Sequence, residues 1–213
     1  VVAWGIKKKA DRVEALWEPL MISAARIRQH LKLPGMSPQT VIGFRDKSIM
    51  KERVAAAGLR VPYAFRCTTQ AEIEAAIEKI GYPVIVKPIA GAGSADTYRV
   101  DNAAVKNKIL PRLRHVKEVS TEEFIDGREF TYDTICVNGI PRYENVAEYL
   151  PRPLIARSNE WISPVIITVK DLQQNHIRQG VQLGRGVLKA LQMGDGFTHM
   201  EWYLTPKGEV VFG

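Results

Sequence analysis

The sequence predicts an α+β protein, and three observations carry that prediction. Helical runs lead the first 120 residues, and strand-type runs join them from Pro83 onward. Two hairpins with glycine-containing turns follow. A long amphipathic helix separates those hairpins. In chain order, Ala15 to Leu31 places Leu16, Leu20, Ala24, Ile27 and Leu31 on one helical face, and Leu33-Pro34-Gly35 stops the run. Ser37-Pro38 opens a second helix with proline at its first position. A third runs from about Asp46 to Ala57 and closes at Gly58. Thr69 and Glu72 have capping-box spacing, and Ile73, Ala76, Ile77 and Ile80 form the apolar stripe behind them. Strands follow at Pro83–Lys87 and Thr97–Val100. Asp101 is expected to cap a helix that Pro111 breaks after Leu110. Val116–Glu123 reads as a strand. Arg128–Val137 and Ile140–Val146 pair around Asn138-Gly139, a dipeptide suited to a type I′ turn. Leu172–Leu191 is the longest helix, with Ile177, Val181, Leu188 and Leu191 inward. Phe197–Leu204 and Glu209–Phe212 form the last hairpin.

Composition sets outer limits. At 213 residues the chain has room for one or two compact domains with their own cores. No apolar run approaches the roughly 20 residues of a membrane helix, and no signal-peptide pattern opens the chain. A non-membrane, cytoplasmic protein is therefore expected. Cys67 and Cys136 are far apart and belong to no C-x-x-C, which fits reduced, buried thiols better than a disulfide framework. The charge of +7 would suit a polyanion, but lysine and arginine are spread along the chain apart from Lys7-Lys8-Lys9 and the Lys106 to Lys117 region. No nucleic-acid partner is expected without a clustered basic face or a known module. The four histidines form no spaced metal set, and neither G-x-S-x-G nor H-E-x-x-H occurs.

The richest stretch is Gly81-Tyr82-Pro83-Val84-Ile85-Val86-Lys87-Pro88, running into Ile89-Ala90-Gly91-Ala92-Gly93-Ser94-Ala95. A buried-type strand ends on a lysine, and tiny residues follow. Small residues let a backbone approach phosphate oxygens, and the lysine supplies charge beside them. The segment is neither a G-x-x-x-x-G-K-[ST] loop nor a three-glycine dinucleotide fingerprint. Taken alone, it fits a nucleotide-phosphate grip or an ordinary strand–turn with a surface lysine equally well.

Three further segments accompany it: Phe44-Arg45-Asp46-Lys47-Ser48-Ile49-Met50-Lys51, Ser120-Thr121-Glu122-Glu123-Phe124-Ile125-Asp126-Gly127-Arg128-Glu129, and His199-Met200-Glu201-Trp202-Tyr203-Leu204. In this order and at these separations the set resembles the ATP-grasp superfamily, nearest its biotin-carboxylase-like carboxylate–amine ligases, over about residues 18–213. The resemblance implies an ATP-grasp fold, two α+β subdomains gripping ATP. Residues 1–43 would be the remnant of a preceding Rossmann-like domain, 44–118 the lid subdomain and 119–213 the large subdomain. It implies ATP and Mg²⁺ as cofactors, small-molecule carboxylate and amine substrates, and often a homodimer.

Site roles carry over by the same resemblance. Lys47 and Lys87 match the lysines on the ATP phosphates. The loop with Gly91, Gly93 and Ser94 would fold over them. Glu122, Glu123, Phe124 and Ile125 match the segment that reads adenine, through Glu122 and the backbone of Glu123 and Ile125. Glu129 matches the acid on the ribose hydroxyls. Tyr203 matches a position under adenine, with plain core packing the equal alternative. Glu201 matches an Mg²⁺ ligand, since that ion prefers carboxylate and phosphate oxygens. Arg157 or Arg152, in the proline-broken segment after Tyr149, would steady an acyl phosphate or grip a substrate carboxylate; a surface ion pair serves as well there. The implied function is ADP-forming ligation of a carboxylate to an amine through an acyl phosphate, on amino-acid or peptide-like substrates. The alternatives are a biotin-carboxylase or purine-pathway type of enzyme, or a non-catalytic ATP-binding module. Both ends of the sequence look cut, and relatives carry a second metal-binding acid beyond the strand that ends at Gly213. Weak or absent turnover by these 213 residues is expected on that ground.

Overall fold

In the structure, a computed structural model, residues 10–89, 96–157, 159 and 161–213 are described. Three helices lead: α1 (Met21–Leu31), α2 (Pro38–Arg45) and α3 (Lys47–Ala56). The helix expected from Ala15 starts only at Met21, after a 3₁₀ turn at Glu18–Leu20. Pro19 has no N–H to give the ladder, so regular helix forms only beyond it. Leu16 and Leu20 are exposed, and the inward residues of α1 are Ala24, Ala25 and Arg28. The other two starts follow their caps. Ser37 Oγ accepts from the Thr40 N–H, and Asp46 Oδ1 accepts from the N–H groups of Ser48 and Ile49.

A four-stranded antiparallel sheet comes next. Its strands are β1 (Ala64–Cys67), β2 (Val84–Pro88), β3 (Tyr98–Val100) and β4 (Val119–Glu123), in the order β1-β4-β2-β3. Helices α4 (Gln70–Ile80) and α5 (Ala103–Ile109) pack with it around Ile73, Ile77, Val84, Val86, Val100 and Val119. The Thr69–Glu72 capping box forms as the spacing predicts. Asn102, not Asp101, caps α5, because its side-chain oxygen reaches the Val105 N–H at 3.0 Å. Pro111 sits in a 3₁₀ turn over Leu110–Leu113, whose opening needs no N–H from it. The expected strand from Val116 begins at Val119.

The second sheet is five-stranded and antiparallel, ordered β7-β6-β5-β8-β9. It comprises β5 (Arg128–Val137), β6 (Ile140–Leu150), β7 (Val165–Thr168), β8 (Gly196–Leu204) and β9 (Val210–Phe212). A short helix α6 (Pro153–Arg157) and the long α7 (Asn175–Ala190) connect its strands. The Asn138-Gly139 turn has φ values of 53° and 74°, the left-handed pair a type I′ hairpin requires. One face of this sheet packs on α7 around Phe130, Tyr132, Trp202, Ile177 and Leu188. Phe130 stacks on Trp202 with ring centroids 4.5 Å apart.

Two assignments within the expected division differ from the sheet pattern. β4, placed by sequence in the later subdomain, is hydrogen-bonded between β1 and β2 of the first sheet. It is paired on both sides, and its first four residues are buried in succession. Helix α3, placed in the lid, packs Val54 into the second core beside Phe130 and Trp202. The junction between sheets is the linker Phe124–Gly127. A Cβ on Gly127 would stand 2.4 Å from the Leu204 carbonyl oxygen, so only glycine lets the linker lie so close to the end of β8.

Candidate functional site

The two sheets meet at a pocket, and nearly every described residue singled out by sequence lines it. Lys87 enters from the end of β2, Lys47 from the first turn of α3, and Glu122 to Ile125 from β4 and the linker. Glu129, Glu201 and Tyr203 enter from the second sheet, on one face of β5 and β8. Antiparallel register sets Glu129 opposite Tyr203 and Thr131 opposite Glu201. Gly91, Gly93 and Ser94, and the side chain of Arg157, lie outside the described residues.

The geometry adds charge pairs that spacing alone did not predict. Glu122 Oε2 stands 2.9 Å from Lys87 Nζ and 2.5 Å from Lys51 Nζ, with all three side chains largely buried. Burial would push the Glu122 carboxyl up, but the charges of Lys87 and Lys51 outweigh it and hold the group ionised, well below the usual range. Burial lowers Lys51 to about 8, with Glu122 opposing. Lys47 is lowered by burial and then by the charge of Lys87. At about 8, Lys51 is still mostly protonated at pH 7. The second Glu122 oxygen, Oε1, is buried and has no hydrogen-bond partner among the described residues.

At the other wall Arg152 reaches across from the end of β6. Its guanidinium donates to the Ile125 carbonyl at 2.9 Å and to Glu129 Oε2 at 3.4 Å. It also lies over the Phe124 and Tyr203 rings, 5.2 and 5.3 Å from their centroids. Of the two arginines offered by sequence, Arg152 is thus engaged with the linker and Glu129. Glu123 is occupied too: its carboxylate takes Arg60 and the Tyr63 N–H, and its own N–H donates to Tyr63 O. Its N–H is therefore already taken. Sequence reasoning passed over Lys51. The available signal was its position one helical turn after Lys47, which puts both lysines on one face.

Glu129 is raised to about 7, first by burial and then by the charge of Glu201, with Arg152 and Lys87 pulling the other way. The folded protein therefore holds a proton there that the unfolded chain releases near its ordinary value of 4.5. Stability falls as pH rises from about 4.5 to 7, by roughly 2–3 kcal/mol from this group. Glu129→Gln is expected to flatten that segment of a urea-midpoint profile and to stabilise the protein at pH 8. Parallel profiles for the two proteins would show that Glu129 titrates normally. Tyr203 is pushed up by burial and then by Glu129 and Glu201, so its phenol stays neutral.

Two antiparallel sheets closing on a pocket of lysines, acids and an extended linker have the architecture of the ATP-grasp fold. Residues 44–143 match the family model described as the ATP-grasp domain. It is 26% identical over 211 residues to an L-arginine-specific L-amino acid ligase of Bacillus subtilis, covering 95% of this chain and 50% of that protein. The crystal structure of an L-amino acid ligase from Bacillus licheniformis superposes with a TM-score of 0.81 at 25% identity, over 99% of this chain and 49% of that one. A carboxyaminoimidazole ribonucleotide synthase from Aspergillus clavatus, solved with ATP, superposes at 0.76 and 16% identity over 99% of this chain and 54% of that one, a likeness of fold. The chain spans about half the length of the curated relatives it matches. Among the described residues no helix is long and apolar enough to cross a membrane.

Proposed function

We propose that this chain is the ATP-gripping part of an ADP-forming carboxylate–amine ligase acting on amino acids or peptide-like substrates. The observation that carries the proposal is the convergence of Lys47, Lys87, Glu129, Glu201 and the Glu122–Ile125 segment on one pocket between two sheets. The likeness to L-amino acid ligases along nearly the whole chain supports the substrate class.

The residues fit the nucleotide. The buried, unpartnered Glu122 Oε1 is an acceptor for the adenine amino group, beside the Glu123 carbonyl and the Ile125 N–H. The pairing of Glu129 and Tyr203 across β5 and β8 supports roles for them at the ribose and the base. Lys47 and Lys87 face the phosphates, where fixed cations stabilise charge spread over the equatorial oxygens of a transferring phosphoryl group. Among the described residues no three His, Cys, Asp or Glu side chains are grouped to hold a metal ion. Glu201, which lines the pocket, would contribute a carboxylate to Mg²⁺, and the bound ion would neutralise phosphate charge.

The γ-phosphoryl group passes to the substrate carboxylate oxygen, giving an acyl phosphate and ADP. The amine then attacks the acyl carbon, loses its proton and expels phosphate. Lys47 and Lys87, which both line the pocket, hold the phosphate chain in line for the transfer. A version extended past Gly213, incubated with ATP and amino acids, is expected to yield ADP and phosphate in an amino-acid-dependent way, with hydroxylamine trapping a hydroxamate. Formation of AMP and pyrophosphate instead would overturn the acyl-phosphate route.

A further inference from the structure

We infer that Lys51 is a positioning residue for the nucleotide phosphates, holding Glu122 from behind so that Lys87 keeps its charge directed into the pocket. The inference rests on the nucleotide reading of the pocket and deepens it. Lys87, Lys47 and Glu122 line the cavity, whereas Lys51 does not. Its ammonium is instead buried one turn further along α3, with only 7% of the side chain exposed, and ends 2.5 Å from Glu122 Oε2. The same oxygen is 2.9 Å from Lys87 Nζ.

One carboxylate oxygen thus carries two ammonium groups from two different elements, α3 and β2, with Glu122 on β4 between them. Register puts Glu122 opposite Ile85 and Ser120 opposite Lys87, so strand pairing aims Lys87 and Glu122 at one another. A single Lys–Glu contact would nearly cancel Lys87's charge just where a phosphate needs it. The second ammonium changes the balance. Glu122 is neutralised from the core side, Lys87 keeps a net attraction for an anion, and the two cations together keep Glu122 ionised. Burying a lysine beside an acid gives little stability compared with apolar residues of similar volume. A phosphate-directed role accounts for its presence better than a structural one does.

The test uses ATP and adenosine as separate probes in calorimetric titrations, because adenosine shares the base and ribose but lacks the phosphates. Lys51→Met is expected to weaken ATP binding by about tenfold or more while adenosine affinity stays within about twofold. Adding Glu122→Gln to that variant removes the charge Lys51 offsets, and the ratio of ATP to adenosine affinity is expected to return to near the wild-type value. An unchanged ratio in Lys51→Met overturns the inference. So does an equal loss for both ligands, the signature of a merely structural role. Should Lys51→Met fail to fold, comparison of Lys51→Met/Glu122→Gln with Glu122→Gln alone decides the matter. Equal ratios uphold the inference, and a lower ratio in the double variant overturns it. Absence of ATP binding by the wild-type protein would remove the nucleotide reading itself, an outcome distinct from wild-type binding with an unaltered ratio in the variant.

Discussion

Lys87→Met is expected to reduce ATP affinity by about 100-fold, with adenosine affinity largely retained and the fold intact. A charge-assisted contact to phosphate in a partly desolvated pocket is worth about 2–3 kcal/mol or more, which is the stated factor in affinity. The fold survives because Glu122 keeps Lys51 as a partner, so no buried carboxylate is stranded. Lys87 also retains 19% side-chain exposure and lies at the rim of its sheet's core rather than within it. Calorimetric titration checks the affinities, and thermal unfolding checks the fold. An ATP affinity within threefold of wild type would show that Lys87 is a structural partner of Glu122 alone.

The second large effect concerns stability. Gly184→Val is expected to destabilise the protein by about 3 kcal/mol or more, at or beyond the upper end of ordinary overpacking costs. Helix α7 lies against the second sheet through Gly180 and Gly184, which are one turn apart. A Cβ on Gly184 would stand 2.2 Å from the Tyr132 ring, and one on Gly180 would stand 2.3 Å from the Trp202 ring. Neither ring has room to yield. Tyr132 is fully buried, and its hydroxyl donates to Glu144, which Arg185 of α7 also holds. Trp202 is stacked on Phe130, and its indole N–H donates to the Thr131 carbonyl at 3.3 Å. A valine would push α7 off the sheet and tilt β5 and β8, the strands that carry Glu129, Glu201 and Tyr203. Urea unfolding reads the loss. A midpoint unchanged from wild type would mean that the helix rests less closely on the sheet than these distances imply.

Much of the fold is legible in local sequence because its signals are local. The Thr69–Glu72 box, Ser37-Pro38 and Asn138-Gly139 each satisfy their own backbone within a few residues, and each forms as spacing predicts. The apolar stripe Ile177, Val181, Leu188 and Leu191 is likewise buried as its period requires. Errors arise where two local signals compete. The run from Ala15 has helical periodicity, yet Pro19 delays the helix and Leu16 is left 93% exposed. Asp101 and Asn102 are both capping residues, and only backbone geometry selects the second.

The site divides the same way. The resemblance of four short segments to ATP-grasp enzymes singled out Lys47, Lys87, Glu122, Glu129, Glu201 and Tyr203, and the fold brings these six to one pocket. Which partner each side chain takes was beyond sequence, since those contacts join residues 23 to 71 positions apart along the chain. Lys51 meets Glu122, and Arg152 meets Glu129, only once α3, β4, β5 and the end of β6 are packed together. The inventory of charges is therefore a property of the sequence. The direction in which each charge points is a property of the tertiary structure, because buried ions settle against whichever opposite charge the packed backbone brings within about 3 Å.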